Sequence, residues 1–202
     1  MGAKSGTLYI RLGLGEEARE AAGELYWEGF SRKLAPVVGG GEPARLLGAS
    51  LVPERVLGAW DGDRLVGIAA LRDADGSASV LDGALLRRAF GPLRGTWRSL
   101  LARFLDSAAP GDGELLLEIL AVSPAARGLG VGTALLGATA GEARRRGLRR
   151  VRLEVIDTNP RAKALYERFG FRVERTVRTP YLSRLLGFAA VDSMVYDLPP
   201  GE

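Results

Sequence analysis

The stretch that decides the fold is Arg127-Gly128-Leu129-Gly130-Val131-Gly132-Thr133. It follows an apolar run at residues 115–122 that predicts a buried strand. It precedes residues 134–146, which predict a helix ended by Gly147. Between a strand and a helix, a glycine-rich backbone offers free N–H groups and the positive end of the helix dipole to a phosphate. Glycine also lets the backbone approach a ligand closely. The stretch therefore predicts a phosphate-bearing ligand but does not choose among such ligands.

Composition narrows the class of protein that carries this loop. The chain has 202 residues, of which 47% are hydrophobic, and these values suit one domain with a buried core. It contains no histidine and no cysteine. Ser-His-Asp and Cys-His catalytic systems, an acyl-cysteine intermediate and the usual zinc sites are thereby excluded. We expect no metal, and any acid–base chemistry must use Glu, Asp, Tyr, Lys, Ser, Thr or water.

Charge and hydropathy set the expected environment. The net charge is +4 at pH 7, but the basic residues are dispersed among 24 acidic ones, so we expect no nucleic acid partner. No apolar run is long enough to span a membrane, and charged residues and glycines interrupt residues 1–14, so no secretory signal is predicted. A cytoplasmic location is the resulting expectation.

Hydrophobic periodicity and turn residues predict alternating strands and helices around the loop. The elements predicted before residue 81 are a strand at 8–12, a helix at 16–33, a helix or mobile loop at 43–51, and a β-hairpin with arms at 55–60 and 64–71. Those predicted after the loop are a strand at 149–156, a helix from Asn159-Pro160 to Gly170, a strand at 171–178, an irregular or helical segment at 180–190, and a strand at 192–198. This order predicts an α/β (α+β) fold, a mixed, twisted sheet of about seven strands with helices on both faces.

Residues 81–105 allow three interpretations. Leucine, phenylalanine and tryptophan alternate there with five arginines, and Gly91-Pro92 divides the segment into two helical pieces. The favoured interpretation is two amphipathic helices packed on the sheet. A wall of the substrate pocket is the second, and a basic membrane-surface segment is the third.

Several motifs in order between Leu115 and Val177 resemble those of the GCN5-related N-acetyltransferases (GNAT), a large family of acetyl-CoA-dependent enzymes. Leu-Ala-Val-Ser-Pro at 120–124 resembles the family's strand end, and Arg127-x-x-Gly130-x-Gly132 resembles its pyrophosphate loop. Three further pieces resemble the second half of the family's motif region, namely Leu153-Glu154-Val155, Asn159 and Ala164-Leu165-Tyr166-Glu167-Arg168-Phe169-Gly170-Phe171. Within the family, the spacing is most similar to that of enzymes that acetylate the N-termini of ribosomal proteins.

The resemblance implies one acetyltransferase domain over residues 1–202, with an acetyl-CoA-binding core at 115–177 and a helical insertion or pocket wall at 81–105. It implies acetyl-CoA as the co-substrate and a splay between the strand residues 119–122 and the strand at 149–156 that admits the thioester. The predicted cofactor-binding residues are Leu120, Ala121, Val122, Arg127, Gly128, Leu129, Gly130, Val131, Gly132, Thr133 and Asn159. The loop lacks the Lys-Ser/Thr pair of a Walker sequence and the ribose-binding acidic residue of a dinucleotide site.

Tyr166 is the predicted general acid, because the resemblance points its phenol at the departing thiolate. The residues alone favour a different interpretation, a half-buried aromatic side chain on an amphipathic helix. Asn159 is a good helix N-cap in either case.

The general base is left open between Glu118 and Glu154. Both lie in otherwise apolar strands, where burial raises the pKa of a carboxyl group. Glu154 matches the base position of the ribosomal-protein subgroup, and Glu118 lies on the cofactor-bearing strand, where other branches of the family place theirs. Strand alternation predicts that Glu118 faces the same side as Leu116 and Leu120, opposite Ile119. Each glutamate is also a candidate salt-bridge partner of the many arginines.

We expect an N-acetyltransferase that moves acetyl from acetyl-CoA to a primary amine by direct attack in a ternary complex. Direct attack follows from the family and from the lack of a cysteine to carry the acyl group. The acceptor is left open among small molecules, peptide N-termini and lysines, and a homodimer is common in the family. The alternative is a non-catalytic acyl-CoA-binding or regulatory module. Tyr166 and the two strand glutamates favour the enzyme.

Overall fold

The structure, a computed structural model, describes residues 7–105, 109–178 and 187–199. Within these ranges the chain forms one mixed sheet of seven strands, in the order β1-β2-β3-β4-β5-β7-β6. The strands are β1 (Leu8–Leu12), β2 (Val56–Asp61), β3 (Arg64–Arg72), β4 (Glu114–Val122), β5 (Arg150–Ile156), β6 (Arg172–Arg178) and β7 (Ala190–Asp197). In this sheet only β4 and β5 run parallel. Residues 179–186, most of the segment predicted as irregular or helical at 180–190, lie outside the described residues.

Helices cover both faces of the sheet. Those in the described residues are α1 (Arg19–Val38), α2 (Pro43–Ser50), α3 (Gly83–Phe90), α4 (Pro92–Leu105), α5 (Val131–Arg145) and α6 (Pro160–Phe169). On one side, here called the α1 face, α1 and α2 pack over a buried cluster that includes Ile68, Ala70 and Ile119. On the other, the α5 face, α5 and α6 pack over a cluster that includes Leu117, Leu135 and Leu153. The predicted mixed α/β sheet is confirmed.

The first helix differs in its bounds from the prediction at 16–33. A short 3-10 turn at Glu16–Ala18 precedes α1, and α1 continues to Val38. Three apolar residues near its end are buried on the α1 face, namely Leu34, Val37 and Val38. Burial of this apolar stripe extends the helix beyond residue 33.

The predicted division of residues 81–105 into two helices is confirmed. Gly91, with a φ of 81°, separates α3 from α4. Nη1 of Arg98 in α4 donates hydrogen bonds to the carbonyls of Val37 at 2.8 Å and Gly39 at 2.9 Å, at the end of α1. The two helices pack mainly on α1 and α2 rather than on the strands as predicted, because α1 and α2 already cover this face of the sheet.

The parallel strands β4 and β5 diverge. Their pairing runs from Glu114 opposite Arg150 to Leu117 opposite Leu153 and stops there. Beyond this pair β4 continues to Val122 and β5 continues to Ile156. The strands therefore form a wedge whose apex is the Leu117–Leu153 pair and which opens toward the glycine stretch. This geometry is the splay that the resemblance implies.

An ion-pair network ties α5 to the β2–β3 hairpin. Asp73, the residue after β3, contacts Arg55 at 2.6 Å and also Arg146, just beyond α5. Arg146 donates a further hydrogen bond to Glu142 of α5 at 2.7 Å. Burial opposes ionisation of Asp73, but the hydrogen bond and charge of Arg55, with help from Arg146, outweigh it. The pKa of Asp73 is therefore held below its ordinary value of 3.8.

We expect Asp73→Asn to destabilise the fold by about 2 kcal/mol, between the values typical of exposed and of buried ion pairs. Folding lowers the pKa of Asp73. The contribution of its ion pairs to the free energy of unfolding is therefore complete above the unfolded-state pKa of about 3.9, and it is lost as pH falls through the lower folded-state pKa. Urea unfolding of both proteins at about pH 7 and about pH 3 measures the effect. A stability difference that does not shrink on acidification would contradict this role.

Candidate active site

The glycine stretch forms the start of α5. The helix begins at Val131, earlier than the predicted residue 134, so Gly132 and Thr133 lie in its first turn. Gly130 caps the helix with a left-handed φ of 82°, and Gly128 has a φ of 80°. Side chains disfavour these dihedral angles, so the backbone itself requires both glycines.

This turn presents backbone donors to solvent. The first hydrogen bond within α5 runs from the N–H of Ala134 to the carbonyl of Gly130, at 2.9 Å. The N–H groups of residues 131–133 precede it, so helix geometry gives them no acceptor within α5. Residues 127–130 and Thr133 are exposed. A pyrophosphate fits this arrangement of N–H donors at a positive helix end.

Three residues of the stretch have distinct structural roles. Val131 is buried on the α5 face, so it offers a ligand only its N–H. A Cβ on Gly132 would come within 3.0 Å of Leu165, so this glycine also permits α5 to approach α6. Nε of Arg127 donates to the carbonyl of Val122 at 3.2 Å, which uses one of its five donors and places the guanidinium beside the end of β4.

Beyond the apex, no strand among the described residues pairs with β4 on its β5 side. Leu120 and Val122 contact the cluster on the α5 face, whereas Ala121 belongs to the cluster on the α1 face. A pantetheine arm carries amide groups, which can pair with an open strand edge as peptides do. The wedge leads from the start of α5 to the apex, so one extended ligand can contact both.

Asn159 and Tyr166 belong to α6, on the α5 face. Oδ1 of Asn159 accepts a hydrogen bond from the N–H of Ala162 at 3.3 Å, so the predicted N-cap is confirmed. Tyr166 is buried in the cluster that also holds the apex pair, Leu117 and Leu153. Burial raises the pKa of Tyr166 to about 12. The phenol therefore stays protonated at physiological pH and is suited to donate a hydrogen bond to a departing thiolate.

Glu118 lies at a β-bulge. Successive pairs of the β3–β4 register are Ala70–Ile119 and Leu71–Leu117. Glu118 is the extra residue between them, and its partners in the loop after β3 place it on the α1 face. Simple alternation predicts that Glu118 shares the side of Leu120 and lies opposite Ile119. This prediction is wrong, because alternation assumes a strand without a bulge.

The loop after β3 holds the carboxylate of Glu118. Oγ of Ser77 lies 2.7 and 2.9 Å from its two oxygens, the N–H of Ala78 donates at 3.0 Å, and Nη1 of Arg72 donates at 3.4 Å. Oγ of Ser79 reaches the hydroxyl of Tyr26 in α1 at 3.4 Å. Glu118 therefore fastens this loop to the sheet.

Glu154 is the first residue of β5 beyond the apex. Leu153 and Val155 face the α5 cluster, so alternation places Glu154 on the α1 face. Its side chain is 24% exposed, against 10% for that of Glu118. The structure thus places both glutamates directly after the apex on the α1 face, one on each strand, and Tyr166 in the cluster on the α5 face that includes the apex pair.

Sequence reasoning missed Arg152 as a member of this site. Its side chain is only 9% exposed and contacts Glu114 at 3.3 Å and Glu154 at 3.3 Å. Nη2 also donates to the carbonyl of Ala109 at 3.1 Å. The two carboxylates offset the cost of burying this charge, and Arg152 in turn fixes the position of Glu154. The two-residue spacing of Arg152 and Glu154 on β5 was the available signal.

A cavity of about 420 Å³ lies between α1 and the turn that joins β2 to β3, and it reaches Ser123 at the end of β4. Its charged lining residues are Glu24, Glu28, Asp63 and Arg64. Three carboxylates against one guanidinium make this surface favourable for a cation. It is on the α1 side of the sheet, as are both glutamates of the apex.

A helix start suited to an anion and a wedge with an open strand edge fit an acyl-CoA-dependent transferase of the α/β class. The chain belongs to the acetyltransferase (GNAT) family, whose profile matches residues 20–171. It is an acetyl-CoA-dependent N-acetyltransferase. The predicted family, enzyme class and co-substrate are confirmed.

Solved acetyltransferase structures share this fold over nearly the whole chain. The ribosomal-protein-S18-alanine N-acetyltransferase from Escherichia coli is 20% identical, with a TM-score of 0.57 and 97% of each chain covered. A GCN5-related N-acetyltransferase from Kribbella flavida is 21% identical, with a TM-score of 0.61 and coverage of 95% of this chain and 98% of that one. A Bacillus subtilis acetyltransferase in complex with CoA is 16% identical, with a TM-score of 0.59 and coverage of 96% and 100%. A comparison with curated protein sequences gave no match.

Residues 7–105, 109–178 and 187–199 lack two further kinds of feature. In this part of the chain no helix is both long enough and apolar enough to cross a bilayer. The same residues contain no group of three or more metal-ligating side chains arranged to hold an ion.

Proposed function

We propose that the protein transfers acetyl from acetyl-CoA to the nitrogen of a primary amine by direct attack in a ternary complex. The observation that carries this proposal is that Glu118 and Glu154 directly follow the apex of the wedge on the α1 face, while Tyr166 packs in the cluster on the α5 face that includes the apex pair. An amine that approaches from the α1 face meets carboxylates, and a sulfur on the α5 face meets a phenol donor. The lack of cysteine supports direct attack over an acyl-enzyme.

The start of α5 binds the pyrophosphate in this proposal. The N–H groups of residues 131–133 donate to its oxygens, and Arg127 adds a positive charge beside the end of β4. The open edge at Leu120-Ala121-Val122 pairs with the pantetheine amides. The carboxamide nitrogen of Asn159 is not used by the N-cap bond, so it supplies a further donor at the start of α6.

Glu154 is the better placed of the two candidate bases. Ser77, Ala78 and Arg72 donate to both oxygens of Glu118, which gives that carboxylate a structural task. The side chain of Glu154 is the more exposed of the two and so the easier for an entering amine to reach. Glu154 takes a proton from the acceptor ammonium, directly or through water. Tyr166 acts as the general acid: it donates its proton to the sulfur as the carbon–sulfur bond breaks, and the second proton released by the attacking nitrogen restores the phenol through solvent.

Peptide N-termini are the first acceptor class to test. The interval from Glu154 to Tyr166 resembles that of enzymes acting on ribosomal proteins, and one protein of this fold is the ribosomal-protein-S18-alanine N-acetyltransferase. The acidic cavity beside α1 supports a positively charged acceptor, since an unreacted amine is an ammonium ion at neutral pH. Polyamines, amino acids, aminoglycosides and lysine side chains complete the panel.

The test is release of free CoA on addition of each acceptor to enzyme and acetyl-CoA. Each peptide with a free N-terminus is paired with the same peptide blocked by acetylation and with a blocked peptide that contains lysine. Steady CoA release that requires a free amine supports the proposal and identifies the acceptor class. Binding of acetyl-CoA without turnover over the whole panel would instead favour the non-catalytic acyl-CoA-binding module.

We expect Glu154→Gln to lower kcat about tenfold at neutral pH, less than the usual range for a lost base because water can accept the proton in its place. The deficit should shrink as pH rises, since more acceptor is then already unprotonated. The matched variant Glu118→Gln should mainly lower thermal stability, because it weakens the contacts to Ser77 and Ala78. A pH-dependent kcat deficit in Glu118→Gln and none in Glu154→Gln would reverse the assignment.

A further inference from the structure

We propose that α4 carries a binding surface for anionic lipid bilayers, formed by an apolar row flanked by arginines. The row consists of Leu93, Trp97 and Leu100, whose exposed fractions are 87%, 70% and 57%. Their spacing of four and then three residues aligns them along one side of the helix. Single exposed apolar residues are ordinary, but a contiguous row on one helix marks an interaction surface.

Within the described part of the chain, packing leaves this row exposed. The opposite side of α4 is anchored, because Gly95 is buried against Arg87 of α3, and Leu101, beside the row, packs against the α1-face cluster. Arg98, on the same anchored side, bonds the carbonyls at the end of α1 and lies over the ring of Phe90 at 3.9 Å. One side of α4 is thus packed on the protein, and the apolar row faces solvent.

Charge selects the partner. Residues 83–105 contain five arginines and no acidic residue, and Arg87, Arg88 and Arg94 are exposed. In a bilayer with anionic lipids, the apolar side chains enter the interface while guanidinium groups contact the headgroups. Trp97, in the middle of the row, has the amphipathic ring that favours this boundary. α4 has 14 residues, too few to span a bilayer, so it lies along the surface.

A second copy of the chain is a poorer occupant of the row. Two-fold contact between identical surfaces would bring the arginines of one α4 against those of the other, with no acidic residue from either segment to compensate. An anionic bilayer can bury the apolar row and also pair its headgroups with the surrounding arginines.

Co-sedimentation of the full chain with vesicles tests the proposal. We expect binding to vesicles of phosphatidylcholine with phosphatidylglycerol, not to phosphatidylcholine alone, and a bound fraction that falls as salt is raised. The double change Trp97→Ser with Leu100→Ser should abolish binding. Arg94→Gln should weaken it about fivefold, the effect of one basic residue at such a surface. Val173→Ser, an exposed apolar position on β6, is the matched control and should bind as the wild type does.

Tryptophan fluorescence provides a second readout that does not depend on the double variant folding. The difference between wild type and Trp97→Phe isolates Trp97, and its emission should shift to the blue only with anionic vesicles. Absence of wild-type binding, equal binding to both vesicle types, or an unchanged Trp97 emission would overturn the proposal. So would a dimer in solution that dissociates in the Trp97→Ser variant, since the row would then be a self-association surface.

Discussion

Replacing Tyr166 by phenylalanine should lower kcat about a thousandfold and leave the affinity for acetyl-CoA within about twofold of wild type. The ring of Tyr166 lies 5.9 Å from that of Phe171 in the core of the α5 face, and phenylalanine preserves this packing. Only the phenolic donor is lost. Because burial raises the pKa of Tyr166 to about 12, the wild-type phenol does not ionise in the working range. The ratio of the two kcat values should therefore stay constant between about pH 6 and about pH 10.

CoA release at saturating substrates measures kcat, and titration of the free enzyme with acetyl-CoA measures affinity. Tyr196→Phe is the matched control, since its ring lies in the same aromatic group, 5.5 Å from that of Phe171. That variant loses a hydroxyl from the same face and should keep its kcat. Unchanged kcat in Tyr166→Phe would leave Tyr166 as the packed aromatic side chain that its helical position alone indicates.

Elements with local signals could be predicted from the sequence. The hairpin of β2 and β3 is specified by apolar runs around Gly62, and α6 by its cap at Asn159 and its stop at Gly170. The end of α1 could not be placed, because it depends on burial of Val37 and Val38 by distant parts of the chain. The two helices after β3 were recognised, but their packing on α1 and α2 rests on non-local contacts such as those of Arg98.

The residues of the candidate site also differ in whether the sequence could predict them. The glycine stretch could be located because its motif is contiguous, and the resemblance then connected it with Asn159 and Tyr166. The face of Glu118 could not be predicted, since the bulge arises from the register of β4 against β3. The wedge was implied only by the resemblance, because the point at which β4 and β5 stop pairing is a property of two strands far apart in sequence.

Gly130→Val should weaken acetyl-CoA binding about a hundredfold, a loss of about 2.7 kcal/mol. A Cβ at Gly130 meets no protein atom within 4 Å, so the space beside this backbone is open to a ligand. A branched side chain there would occupy the volume through which the pyrophosphate approaches the N–H groups of the turn. The φ of 82° adds strain of about 1–2 kcal/mol for a non-glycine residue, which lowers the stability of the free enzyme as well.

Gly147→Val separates strain from ligand contact. Gly147 follows the other end of α5, has a left-handed φ of 69°, and a Cβ there also meets no protein atom within 4 Å. The two variants should therefore lose similar thermal stability, but only Gly130→Val should lose affinity for acetyl-CoA. Calorimetric titration with acetyl-CoA and thermal unfolding of both variants measure the two effects separately. Equal affinity losses would mean that strain in α5 weakens binding from a distance, and the pyrophosphate would then have to be assigned to another part of the wedge.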